Sequence, residues 1–116
     1  MTVNLRFDIA YDGTNFHGWA TQKGGLRTVQ QTIEEALHLV LRLDSSYQLT
    51  VAGRTDAGVH ATGQVANMVI PADRLEQRSI DGDPTRLTRR LNKLLPADIS
   101  LLAVSAAPES FDARFG

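Results

Sequence analysis

Cysteine is absent from the 116 residues, so neither a disulfide scaffold nor a thiolate zinc site can hold this chain together. Charge of one sign is lacking too. The 12 Lys and Arg face 13 Asp and Glu, a net of -1, which gives no global attraction to nucleic acid and leaves any such binding to a local patch. No window approaches the roughly eighteen apolar residues of a membrane-spanning helix. The start, MTVNLRFDIA, has neither a basic n-region nor a following apolar h-region, so we expect a cytoplasmic protein with no membrane partner. What is present is ordinary: 42% hydrophobic and 22% charged residues suit one domain, long enough to bury about two-thirds of its unfolded surface without a staple.

Residues 3 to 11 alternate, with Val3, Leu5, Phe7, Ile9 and Tyr11 on one face and Asn4, Arg6, Asp8 and Ala10 on the other, the period-two pattern of a half-buried strand. Asp12-Gly13-Thr14-Asn15 is turn chemistry, and a loop carrying Phe16, Trp19, Gly24 and Gly25 follows, expected to be exposed. From Thr28, a candidate N-cap, Val29, Ile33, Ala36, Leu37, Val40 and Leu41 recur at helical spacing opposite Gln30, Glu34, Glu35, His38 and Arg42, predicting an amphipathic helix to about Leu43. Strands are predicted over Tyr47–Gly53 and Gly63–Ile70, the second ended by Pro71. Asp83-Pro84 reads as a cap followed by a first-turn proline, with Leu87, Leu91 and Leu94 as the stripe of a second helix that stops before Pro96. Residues 99 to 106 predict a last strand buried on much of both faces. The order β-α-β-β-α-β predicts an α+β fold of ferredoxin-like or RRM-like type, an antiparallel four-stranded sheet with both helices on one face.

The last six residues hold Phe111 and Phe115, whereas free tails are small and polar. We therefore expect residues 1–107 to form a domain and 108–116 to begin a linker or strand into a second domain.

The run Gly53-Arg54-Thr55-Asp56-Ala57-Gly58-Val59-His60-Ala61 sets a carboxylate between glycines at a strand end, with an arginine two positions earlier. In an extended segment Arg54 and Asp56 point to the same side, and the guanidinium favours the ionised carboxylate, fit to act as nucleophile or base. On the residues alone, a structural ion pair holding a hairpin is the favoured reading of the same two side chains. Gly53 and Gly58 permit positive φ or the close approach of a ligand. His60 reads as a hydrogen bonder that orders the loop; its spacing from Asp56 finds no third metal ligand, and no metal is expected. Arg86, Arg89, Arg90 and Lys93 lie within eight residues with no acid among them, either a solvated helix face or a phosphate-binding patch. Phe16 and Trp19 either stack on RNA or anchor their loop, with anchoring favoured.

The nine-residue run resembles the active-site motif of the TruA family of tRNA pseudouridine synthases. Tyr11 to Trp19 is similar to that family's N-terminal signature, and Thr28-Val29-Gln30, Gly63-Gln64-Val65-Ala66, Leu91-Asn92, Leu95-Pro96-Ala97-Asp98-Ile99 and Phe111 to Phe115 match in order, so that the resemblance spans essentially the whole chain. Ala20, Met68 and Asp112 depart from the family's usual Gln, Phe and His. The resemblance implies isomerisation of uridine to pseudouridine at positions 38, 39 and 40 of the tRNA anticodon stem-loop, with Asp56 catalytic and no cofactor. It implies that Arg54 fills the space of the flipped nucleotide, that Thr55 lies with it among the RNA-contacting residues, and that the complete protein is a homodimer. It also implies a second domain supplying a base-stacking Tyr and a basic partner for Asp56, without which these residues form an incomplete enzyme.

Two rivals come from other classes. An RNA-recognition module needs exposed sheet aromatics, and Gly63–Ile70 offers none, although a half-enzyme that binds RNA without turnover remains the alternative. A two-carboxylate hydrolase needs an acid near Asp56, and Asp44 and Asp73 sit in other segments.

Overall fold

Alternation at residues 3 to 11 becomes strand β1 (Thr2–Tyr11) in a computed structural model that describes residues 1–16, 18, 19, 28–53 and 60–114. Helix α1 (Val29–Leu41), strands β2 (Thr50–Val51) and β3 (Ala61–Pro71), helix α2 (Thr85–Asn92) and strand β4 (Ile99–Ala107) follow. The sheet order is β2-β3-β1-β4, antiparallel throughout, as the ferredoxin-like reading requires. Leu5, Phe7 and Ile9 face the helices and share one core with Ile33, Leu37 and Leu41 of α1 and Leu87 and Leu91 of α2. Both helices therefore cover the same face.

Helix α1 begins where Thr28 accepts from the Gln31 amide, and it ends at Arg42, whose left-handed backbone (φ 55) stops it two residues before the predicted end. Asp83 accepts from the amide and hydroxyl of Thr85, but the helix begins one residue later than expected: Pro84 occupies the N-cap position, with no side-chain cap bond, and Thr85 is the first helical residue. Leu94, expected on the buried stripe, is 50% exposed. The helix closes at Asn92, both Leu94 and Leu95 donate to the Leu91 carbonyl, and Leu95 takes the buried place.

The predicted strand Tyr47–Gly53 shrinks to Thr50–Val51, because α1 takes the backbone groups a ladder would have used. Glu34 accepts from the Leu49 amide at 2.7 Å, and His38 Nε2 lies 2.7 Å from the Tyr47 carbonyl. Glu34, expected on the solvent face of α1, is accordingly buried. Strand β4 is not buried on both faces as expected. It is an edge strand, a bulge at Leu102 shifts its register against β1, and Ser100, Leu102 and Ala103 are exposed.

On the sheet face opposite the helices, residues 108 to 114 fold back across the strands. Buried Asn4 donates to the carbonyls of Pro108 (3.0 Å) and Phe111 (2.8 Å). Buried Asn67 donates to Asn4 Oδ1 (3.1 Å) and accepts from the Ala113 amide (2.9 Å). Phe111 lies under the Arg6 guanidinium, 5.6 Å from ring centroid to carbon. Phe111 thus packs within the chain, and Phe115 lies outside the described residues.

Candidate active site

The site predicted from sequence sits on the β2–β3 connection, and Arg54, Thr55, Asp56 and Gly58 lie outside the described residues. Its two ends are described. On one side the ladder runs past β2, with Ala52 N–H donating to Val65 at 3.0 Å, and Gln64 Nε2 donates to the Gly53 carbonyl. Gly53 has no left-handed φ, and a Cβ placed on it would meet nothing within 4 Å, so the space beside it is open. On the other side His60 Nδ1 accepts from the Gly13 amide at 2.9 Å, tying the end of the connection to the turn after β1. Asp12 in that turn donates its amide to the Asp98 carbonyl at 2.9 Å, which links the turn to the entry of β4. An extra β3 residue, at Thr62-Gly63, breaks the β1–β3 register at the same end. Such bulges re-aim the chain beside functional loops.

Asp12 Oδ1 lies 3.0 Å from the same His60 nitrogen. One nitrogen cannot accept from Gly13 and donate to Asp12 at once, so the proton on Nδ1 selects the partner. The Thr14 hydroxyl and amide hold the Asp12 carboxyl below its usual range, and His60 adds to the lowering.

A cavity of about 410 Å³ opens beside Gly53, lined by Trp19, Gln30, residues 48 to 53 and Arg114. Ligand pockets have this order of size. Trp19 is 1% exposed, packs 6.1 Å from Tyr11, and its indole N–H is buried with no acceptor among the described residues. Its carbonyl accepts from the Gln30 amide at 2.8 Å, so the tryptophan also fixes the start of α1. Phe16 is buried as well. These burials favour anchoring over stacking, and the described part of that loop is not the exposed stretch expected. His17 and residues 20–27 lie outside the described residues. Arg114 reaches this cavity from the far end of the chain because the Asn4–Asn67 pair pins the backbone just before it. Sequence spacing carries no signal for that approach.

A profile of the tRNA pseudouridine synthase family matches residues 9–116. The chain belongs to that family. It is 60% identical to the tRNA pseudouridine synthase A of Corynebacterium glutamicum over 97% of its own length and 39% of that protein's. Against the proteins of the same name from Streptomyces avermitilis and Mycobacterium leprae the identities are 47% and 50%, again over 97% of this chain and 38% and 40% of theirs. The chain thus spans about two-fifths of the length of the curated relatives it matches.

In this member of the tRNA pseudouridine synthase family, Arg86, Arg89 and Lys93 are exposed on α2 and just past it, with Arg90 half-buried. Arg86 lies 4.0 Å from Asp83, and Arg90 donates to Gln77 (3.4 Å) and Ser79. The strands put Arg6, Asp8, Val65, Asn67 and Val69 on the open sheet face and no aromatic, so the described sheet lacks the stacking platform of an RNA-recognition motif. No cluster of three metal-ligating side chains occurs among the described residues. No helix among them is long and apolar enough to cross a membrane.

Proposed function

We propose that the protein carrying this chain isomerises uridine to pseudouridine in the tRNA anticodon stem-loop, at positions 38, 39 and 40, with Asp56 as its catalytic carboxylate. The observation that carries this reading is the family match across residues 9–116, which contains the Gly53–Ala61 run. In the reaction the N-glycosidic bond breaks, the uracil turns while held, C5 bonds to C1′, and the C5 proton leaves to solvent. An ionised Asp56 serves either as nucleophile at C1′ or as base at C2′. Neither route needs a metal or a cofactor. The open space at Gly53 and the hydrogen bond that fixes His60, at the two described ends of the Gly53–Ala61 run, support this reading, as does the 410 Å³ cavity beside Gly53. The target base has to leave its stack, at a cost of a few kcal/mol. Arg54 fills the vacated space, Thr55 contacts the RNA beside it, and Arg86, Arg89, Arg90 and Lys93 meet phosphates.

By the same reading, residues 108–116 lead into a second domain with a base-stacking Tyr and a basic partner for Asp56, and the complete protein works as a cytoplasmic homodimer. A second reading rests on the two-fifths span: residues 1–116 alone bind RNA without turning over. The test is to treat unmodified tRNA transcripts with the complete protein and map pseudouridine by carbodiimide-dependent reverse-transcription stops. Stops confined to positions 38 to 40 support the assignment. Stops elsewhere overturn the target, and no stops overturn the activity.

A further inference from the structure

The sequence pattern marks four cations on α2 and at its C-terminal end, and the fold brings two more beside them from the end of α1 and the turn before α2. Arg42, the left-handed residue that ends α1, and Arg78, in the turn before α2, join Arg86, Arg89, Arg90 and Lys93 around three adjoining cavities of about 380, 480 and 580 Å³. Ser79 and Arg90 line all three. Half of the chain's 12 basic residues therefore converge on one surface, and no Asp or Glu is among the described residues lining it. Arg42, Arg78, Arg89 and Lys93 have no carboxylate within ion-pair distance among the described residues.

The surface is held in shape before anything binds. Gln77 donates to the Val40 carbonyl at 2.7 Å and accepts from Arg90, while Arg90 also donates to Ser79. This bridge locks the end of α1, the turn and α2 together, so that ordering the surface costs little on binding.

The chemistry selects among anionic partners. Six cations, of which only Arg86 has a carboxylate at ion-pair distance among the described residues (Asp83, 4.0 Å), call for several phosphates. Unpaired RNA strands are gripped by stacking bases on aromatic rings, and the described lining holds none; its apolar members are Leu39, Val40 and Leu94. A-form duplex RNA is recognised mostly by shape and by its phosphates and 2′-hydroxyls, which arginines and a serine hydroxyl suit. Resting on the RNA reading above, we infer that this face binds the phosphate backbone of a double-stranded stem of the substrate, with Arg42 and Arg78 as members of the site. Gln30, near the start of α1, lines the cavity beside Gly53, whereas Arg42 ends that 13-residue helix. At 1.5 Å per residue the two sites lie about 20 Å apart along α1. The stem held here is therefore away from the reacting nucleotide.

The experiment measures binding of the complete protein to a labelled RNA hairpin without uridine, and to an unpaired strand of equal length, by fluorescence anisotropy across a salt series. An Arg42→Asn, Arg78→Ala double variant is compared with wild type and with Arg42→Lys, Arg78→Lys. Asn tolerates the left-handed backbone at position 42. The double variant is expected to bind the hairpin about tenfold more weakly at about 0.1 M salt and to lose nearly two from the log–log salt slope, at about 0.9 per phosphate contact. The lysine variant is expected to keep the slope, and turnover of tRNA is expected to show the loss in KM. An unchanged slope in the double variant overturns the site. Equal losses on hairpin and unpaired strand overturn the duplex assignment. A wild-type protein that binds the hairpin with these slopes but forms no pseudouridine leaves the site standing and overturns the proposed function alone.

Discussion

Asn67→Ala tests how the C-terminal segment is held on the open sheet face. Asn67 is 6% exposed, and its amide makes two hydrogen bonds that no nearby group replaces: donation to Asn4 Oδ1 and acceptance from the Ala113 amide. Truncation leaves both partners buried and unsatisfied, at about 1–3 kcal/mol each, so we expect a loss of about 2–6 kcal/mol. A domain of this size then melts on the order of 10 °C lower. Urea unfolding followed by the fluorescence of Trp19, the chain's one tryptophan, gives the loss directly, with the m-value held constant as the sign that the folded state is intact. The cycle is completed with Asn4→Ala, which removes the side-chain donor to the Phe111 carbonyl and leaves the Pro108 carbonyl with only the Phe111 amide. Because the Asn4–Asn67 bond is lost in either single variant and both release the same segment, the double variant is expected to lose about 1 kcal/mol less than the two singles together. Additive losses, or a single loss under about 0.5 kcal/mol, refute the clasp.

Other outcomes follow from the same geometry. Glu34→Ala removes the acceptor for the Leu49 amide and the Gln30 side chain, so about 1–3 kcal/mol should be lost, with faster amide exchange at Leu49 the local readout. Glu34→Gln, which keeps one acceptor oxygen, should recover part of it. Thr14→Val removes the hydroxyl that does most to hold the Asp12 carboxyl below its ordinary value, so carbon-detected NMR titration should find that carboxyl closer to the unperturbed 3.8. The sign follows from the lowering: Asp12 stabilises the fold above its unfolded pKa, and that contribution is lost as pH falls through the folded value. Thr14→Val should therefore lower stability at neutral pH, flatten the acid limb of the stability curve below about pH 4, and leave the acid end, where Asp12 is protonated in both states, little changed.

The elements with a single periodicity were legible in the sequence. Strict alternation at Val3 to Tyr11 and the Thr28-led stripe on α1 each describe a face packed against one neighbour, and a one-dimensional pattern encodes that directly. Where side chains compete for backbone groups the pattern misleads: Glu34 and His38 satisfy residues 47 to 49 and shorten β2, and the closing turn after Asn92 exchanges Leu94 for Leu95. The folding back of residues 108–114 depends on two asparagines 63 positions apart, a pairing with no local signature. The candidate site was legible as a run of residues, Gly53 to Ala61, because its chemistry is contiguous in the chain. The approach of Arg114 to Gly53, and of Arg42 to α2, was not, since each crosses the fold between segments far apart in sequence, and Arg78 reaches α2 through a turn that no periodicity marks.

The central claim is that Asp56 carries out uridine isomerisation, and tritium release tests it most directly. Unmodified tRNA labelled at uridine C5 is incubated with the complete protein and with its Asp56→Asn variant, and the label appearing in water is counted. C5 loses its hydrogen only when the new carbon–carbon bond forms there. The account predicts release by the wild type, retention of the uracil as a C-glycoside, and no release by Asp56→Asn although that variant still binds tRNA. Release that survives in Asp56→Asn, or free labelled uracil in solution, would contradict it.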